Sequence, residues 1–146
     1  MSTHRIRTAQ PEDASELARL LTALGHASTE EEVLTRWRPW QAAGGMAIVV
    51  EGADGGLIGA ATLHQSIVLH RPTPIGRISA LIVDPRHQGK GLGRALVEKG
   101  ERILREAGCG LIEITSNMRR TEAHAFYAHL GYELTSSRFV KTVNAV

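Results

Sequence analysis

Leu81-Ile82-Val83-Asp84-Pro85-Arg86-His87-Gln88-Gly89-Lys90-Gly91-Leu92-Gly93-Arg94 is the stretch on which the fold turns. It reads as the end of a strand, a short turn, a glycine loop and the start of a helix. Glycines let a backbone approach a phosphate closely, and the first turn of a helix offers unpaired N–H groups at its positive end. A pyrophosphate suits such a loop.

Spacing separates this loop from two better-known phosphate loops. Lys90 is followed by Gly91 and not by Ser or Thr, so the pattern that holds a nucleoside triphosphate and its magnesium is missing. The glycines run G-x-G-x-G and not G-x-G-x-x-G, and they come late in the chain instead of opening a βαβ unit. Taken alone, the loop also fits a turn that merely joins strand to helix.

Downstream, Leu92, Leu96, Ile103 and Ala107 recur close to whole helical turns, and Gly108 ends the segment. Residues 111–115 then read as a buried strand and 121–130 as a helix closed by Gly131. Residues 132–134 and 138–143 read as a last strand pair.

Upstream, strand-like runs cover residues 46–51, 57 to about 69, and 75–83, and Asp54-Gly55 is a hairpin signal between the first two. A short alternating stretch, 3–8, opens the chain. A helix follows from Pro11 to Leu24, with Leu17, Leu20, Leu21 and Leu24 on one face and Gly25 as its stop. Thr29 with Glu32 has the form of a capping box, and Val33, Leu34 and Trp37 repeat behind it towards Ala43. The order is βααβββαβαββ. It predicts an α/β protein of the α+β kind, with a mixed, mostly antiparallel sheet of six to seven strands and about four helices.

Composition bounds the function. The 146 residues, 42% of them hydrophobic, suffice for one compact domain spanning 1–146. The 17 Lys and Arg against 15 Asp and Glu leave a formal charge of only +2, which argues against a nucleic-acid binder. The single cysteine, Cys109, precedes an apolar strand and reads as a buried structural thiol. Residues 1–10 hold no apolar signal core, and no run approaches the roughly 18 apolar residues of a membrane span. A soluble, cytoplasmic protein without membrane partners is expected, with a homodimer as one assembly state.

Gln88-x-x-Gly91-x-Gly93 resembles the Q/R-x-x-G-x-G/A signature of the GNAT acyltransferases, and it stands between a strand and a long helix as that family's coenzyme A site does. Ala123-His124-Ala125-Phe126-Tyr127-Ala128-His129-Leu130-Gly131-Tyr132 is similar to the family's A-x-x-F-Y-x-x-x-G-[FY] segment. With the element order, the likeness covers nearly the whole chain. A narrower one joins Ile114 to Arg120, Ala123 to Tyr127, Ser137 to Lys141, and His64 and His70 to the aminoalkylphosphonate N-acetyltransferase group.

The resemblance implies an acetyltransferase that uses acetyl-coenzyme A. The main chain of Leu81, Ile82 and Val83 would pair with the pantetheine arm like an added strand, on an edge opened where 78–83 and 111–115 splay apart. The N–H groups from Gln88, Gly89, Lys90, Gly91, Leu92, Gly93 and Arg94 would surround the pyrophosphate, and Asn117 would bond a pantetheine amide. A neutral amine attacks the thioester through a tetrahedral oxyanion, and a thiolate leaves. The resemblance gives the oxyanion donor's role to the Val83 N–H and that of general acid to Tyr127. A tyrosine with its reference pKa near 10 stays protonated at neutral pH. The spacing of Ala123, Phe126, Tyr127 and Leu130 equally places Tyr127 on a core-facing helix stripe.

One departure concerns the amine's proton. Many members of that family carry a glutamate on the strand before the loop, whereas here Arg77, Ser79 and Ala80 occupy that stretch. His64 and His70, six apart on one expected strand, would share a face, histidine being the side chain type suited to take up a proton, and a water chain ending at Ser79 is an equal alternative. His64, His70 and His87 show no metal-ligand spacing, so no metal is expected. Trp37, Trp40, His64, His70, Arg71 and Arg138 suggest a small-molecule amine acceptor, with a lean towards anionic amines. A non-catalytic acyl-coenzyme A module, acetylation of a protein or peptide amine, and a phosphate or nucleotide binder of another kind stay open.

Overall fold

A computed structural model describes residues 4–115, 121–135 and 138–144. It divides into two compact units, Met1–Ser116 and Asn117–Val146.

The first unit is a five-stranded sheet in the order β1-β2-β3-β4-β5, with strands β1 (Arg5–Thr8), β2 (Gly45–Glu51), β3 (Leu57–Ser66), β4 (Ile75–Val83) and β5 (Leu111–Ile114). All pairs are antiparallel except β4 with β5. A parallel pair needs a crossover, and α3 (Leu92–Glu106) supplies it.

Helices α1 (Ala14–Leu24) and α2 (Glu30–Ala42) cover one sheet face, where Leu17, Leu20 and Trp37 bury against Ala47, Val49, Ala60 and Ile82. The helix starts and stops follow their sequence signals. Thr29 accepts from the Glu32 N–H at 3.1 Å while Glu32 accepts from the Thr29 N–H at 3.0 Å, and Gly25 closes α1 at φ +111°. The Trp40 indole lies directly over Gly45, where a Cβ would overlap the ring, so a bare backbone at that point lets the tryptophan settle on the sheet.

On the opposite face α3 buries Leu92, Leu96, Val97, Gly100 and Leu104. This stripe differs from the one the periodicity predicts, because Gly100 fits between Leu63 and Ile78 and draws that side of the helix inward. Ile103 is consequently half-buried and Ala107 is exposed. Cys109 is buried, and burial pushes its thiol pKa up, as a structural cysteine requires.

The second unit contains α4 (Thr121–His129). Ala123, Phe126, Tyr127 and Leu130 are half-buried while His124, Ala125, Ala128 and His129 are exposed, which is the stripe the sequence indicates. Gly131 at φ +94° ends it, and the Tyr132 N–H donates to the Tyr127 carbonyl at 3.0 Å.

Two expectations about the strands also differ from the structure. Among the described residues the sheet has five strands where six to seven are expected, and the α/β class stands: no ladder includes the described residues at 132–135 or 138–144, and Leu134, Phe139, Val140 and Val143 are exposed. Their apolar pattern signals a strand only where a neighbouring edge and a covering layer exist. β3 also stops at Ser66, not near Leu69, since its last pairing is Ser66 with Ile75 at the start of β4. Ile67 and Leu69 follow, almost fully exposed, and Pro72 and Pro74 lie in the loop that returns to β4.

Candidate active site

The pairing of β4 creates the site. Along one edge β3 accompanies β4 from Ile75 to Val83, but along the other β5 reaches only Ile78. The last contact on that side is the Thr115 N–H to the Ile78 carbonyl at 3.3 Å. Beyond it, residues 79–83 have an edge without a ladder partner among the described residues.

Register fixes which groups look out from that edge. The Asp84 N–H donates to the Ile58 carbonyl at 2.8 Å, so Asp84 turns its main chain to β3. Successive residues of an antiparallel pair alternate, so Ile82 also faces β3 whereas Val83 and Leu81 present their N–H and C=O to the open side. Of the three residues expected to pair with an extended ligand arm, two have their main chain free to do so. Ile82 instead offers its side chain to the α1/α2 face.

A bulge aims the side chains. Thr62 pairs with Ala80 and Leu63 with Ile78, which leaves Ser79 as an extra residue on β4. The bulge reverses the alternation: Ile78 packs towards Gly100 of α3, whereas Ile82 packs on the opposite face. Ser79 Oγ and Thr62 Oγ1 lie 2.8 Å apart, and either hydroxyl can be the donor.

The turn after β4 is held by Asp84, 4% exposed. Its carboxylate accepts from the Arg86 N–H at 2.9 Å and from the Arg86 guanidinium at 3.1 and 3.2 Å, and Arg19 of α1 stands 3.5 Å away. The Arg86 guanidinium, then its N–H, holds this carboxyl well below the usual carboxylate range, with smaller help from Arg19. Because the folded-state pKa is the lower one, the stability this group contributes is complete above the unfolded value of about 4. It is lost as pH falls from there towards the folded value. Asp84→Asn keeps an oxygen for the Arg86 N–H but no charge. Thermal melts are therefore expected to show wild type above Asp84→Asn at pH 7, with the gap closing as pH drops below about 4.

The glycine loop follows. Gly89 and Gly91 sit at φ +80° and +77°, and Gly91 is the residue from which α3 starts. Among the described residues no side chain caps that end, and no acidic residue lies in its first turn, whereas α2 has both a capping box and Glu30, Glu31 and Glu32. Thus the positive end of α3 is unneutralised and its first N–H groups are open to an anion. Gln88, Lys90 and Arg94 are exposed, Arg94 pairing with Glu98 at 2.8 Å, while buried Leu92 and half-buried Gly93 anchor the helix start. Arg86, His87 and Lys90 also border a cleft of about 640 Å³ that reaches Arg19 and Asp54, and the His87 Nδ1 is buried with no hydrogen-bond partner among the described residues.

A second cavity, of about 250 Å³, opens between α1, α2 and the sheet. Leu17, Leu21, Val33, Trp37 and Trp40 form its walls, Ala47, Ala60, Thr62 and Ile82 its floor, and Arg36 is its single charge among the described residues. The acceptor residues expected from the sequence include the two tryptophans but not Thr62 or the aliphatic walls, each of which looks like ordinary core in the sequence.

The remaining candidates fall elsewhere. His64 is bound through Nε2, which donates to the Ala43 carbonyl at 2.9 Å. His70 lies in the exposed turn after β3, so the two histidines do not share a strand face as expected. Arg77 pairs with Glu113 across the β4–β5 ladder at 3.1 Å, which engages the carboxylate of the neighbouring strand. Tyr127 belongs to the second unit, with its ring 5.3 Å from Phe126 and 6.4 Å from Tyr132. Asn117 lies outside the described residues. Among the described residues, no three His, Cys, Asp or Glu groups gather as a metal site would require, and no helix is long and apolar enough to cross a membrane.

A family model described as Acetyltransferase (GNAT) family matches residues 14–132. The chain is 36% identical to an aminoalkylphosphonate N-acetyltransferase of Salmonella typhimurium over 62% of its own length and 58% of that protein's. It is 32% identical to an aminoglycoside N(6')-acetyltransferase type 1 of Stenotrophomonas maltophilia, covering 92% of this chain and 89% of the relative. A solved Trypanosoma brucei acetyltransferase superposes with a TM-score of 0.86 at 25% identity, covering 96% of this chain and 99% of that one.

Proposed function

We propose that this chain, which belongs to the acetyltransferase (GNAT) family, transfers the acetyl group of acetyl-coenzyme A to the primary amine of a small molecule. The observation that carries the reading is the open edge of β4, with Leu81 and Val83 facing outward, immediately ahead of an uncapped helix N-terminus. Bound acetyl-coenzyme A supplies the acetyl group as a thioester. The Leu81 and Val83 main chain fits an extended amide-bearing arm as a strand addition, and the Gly89 to Arg94 backbone fits a pyrophosphate. The Val83 N–H donates to the oxygen that gains charge as the amine attacks. Tyr127 acts as the acid for the leaving sulfur, and Asn117 bonds an amide of the arm.

The amine's proton leaves by way of the paired hydroxyls of Thr62 and Ser79 to water. Support comes from the cavity itself: among the described residues its lining has no carboxylate or imidazole and one hydroxyl, that of Thr62, which lies 2.8 Å from the Ser79 hydroxyl. We treat residues 1–146 as one acetyltransferase domain, a reading supported by a family match that runs through both compact units.

The test is free-thiol release from acetyl-coenzyme A in the presence of an amine panel: arylalkylamines, amino acids, aminophosphonates, polyamines, aminoglycosides and peptide N-termini. Amine-dependent release with acetylated product is the expected result. Calorimetric binding of acetyl-coenzyme A without product from any amine would instead identify a binding module.

A further inference from the structure

We infer that the acceptor carries its amine on an apolar, flat body, as an arylalkylamine does, and is neither a polycation nor a small anion. The inference rests on the acetyltransferase reading above and names the substrate class of the same site.

The 250 Å³ cavity adjoins β4, whose Ile82 side chain forms part of its floor while Val83 and Leu81 face the open edge. A body held there rests on Ile82, the residue between Leu81 and Val83. Trp37 and Trp40 meet in the cavity with ring centroids 5.2 Å apart and planes at 71°. Two rings set nearly perpendicular give a flat guest one face to stack on and one edge to meet. Leu21 and Val33 complete an apolar wall, from which a matching guest displaces water.

Charge argues the same way. A polycation needs carboxylates, because an ammonium taken from water without a partner is strongly disfavoured. Among the described residues no Asp or Glu lines the cavity. The single lining charge among the described residues is Arg36, exposed and paired with Glu32 at 3.4 Å. An anionic amine would need free cations. His64 is tied to Ala43, and His70 and Arg71 stand exposed in the loop after β3, outside the lining.

The experiment compares 2-phenylethylamine and tryptamine with spermidine, an aminoglycoside and 2-aminoethylphosphonate under saturating acetyl-coenzyme A. The arylalkylamines are expected to show at least about tenfold higher kcat/KM, a factor worth about 1.4 kcal/mol. Val33→Phe, which fills the cavity, should raise their KM about tenfold with acetyl-coenzyme A affinity unchanged. Trp40→Leu, which removes one aromatic wall, serves if that variant does not fold. Preferential turnover of spermidine, the aminoglycoside or 2-aminoethylphosphonate, unaffected by Val33→Phe, overturns the inference and leaves the acetyltransferase reading intact. If no amine is acetylated, quenching of tryptophan fluorescence by 2-phenylethylamine still decides. Quenching lost in Val33→Phe supports the cavity assignment, and no quenching in wild type overturns it.

Discussion

Tyr127→Phe is expected to lower kcat by about two orders of magnitude, the lower range for losing a positioned general acid. Affinity for acetyl-coenzyme A should change little. The substitution is informative because two roles compete for one side chain. Tyr127 is half-buried on the inward stripe of α4, in edge contact with Phe126 and Tyr132. Phe preserves that packing and removes only the hydroxyl, so a purely structural tyrosine would lose at most about 1 kcal/mol of stability and no rate. A proton donor would lose rate at intact stability. Steady-state kinetics beside a thermal melt separates the two, and an unchanged kcat removes Tyr127 from the mechanism.

The same division between packing and chemistry explains what was legible in the sequence. Local signals read correctly: the Thr29–Glu32 box, Gly25 and Gly131 as helix stops, and the Asp54-Gly55 hairpin, whose Gly52 N–H bonds the Gly56 carbonyl at 2.7 Å. Each is settled within four residues of chain. Strand length is not local. The alternation that runs on past Ser66 means nothing once β4 offers no further partner, and residues 138–143 form no ladder despite a strand-like pattern.

The splay of β4 from β5 was expected from the family likeness, but the selection of Leu81 and Val83 over Ile82 depends on register, which one sequence does not carry. The bulge at Ser79 is equally silent. It separates Ile78 from Ile82 by a whole sheet face, although their spacing of four would put them on the same face of a regular strand. The cavity escaped for a third reason. Its walls come from two helices and three strands, so no segment contains enough of it to show a pattern.

Gly91→Val is expected to weaken acetyl-coenzyme A binding by about 10- to 100-fold with the fold retained. At φ +77° a β-branched residue is strained by roughly 1–2 kcal/mol. A Cβ there meets nothing within 4 Å, so the free protein suffers no overlap and melts only a few degrees lower. The damage falls on the ligand. Relief of the strain rotates the peptide out of the left-handed region and turns aside the N–H groups that begin α3. Each charge-assisted hydrogen bond to a phosphate is worth about 1.5–3 kcal/mol, so misdirecting a single donor already accounts for the lower limit. Lys90→Ala is the comparison, since Lys90 is exposed and makes no ion pair among the described residues. Its charge is screened by salt, and its loss should cost less than Gly91→Val, more so at 0.15 M ionic strength than at low salt. Calorimetry at two salt concentrations on both variants checks this. If Lys90→Ala proves the more damaging, the anion is held by side-chain charge and the uncapped end of α3 is incidental.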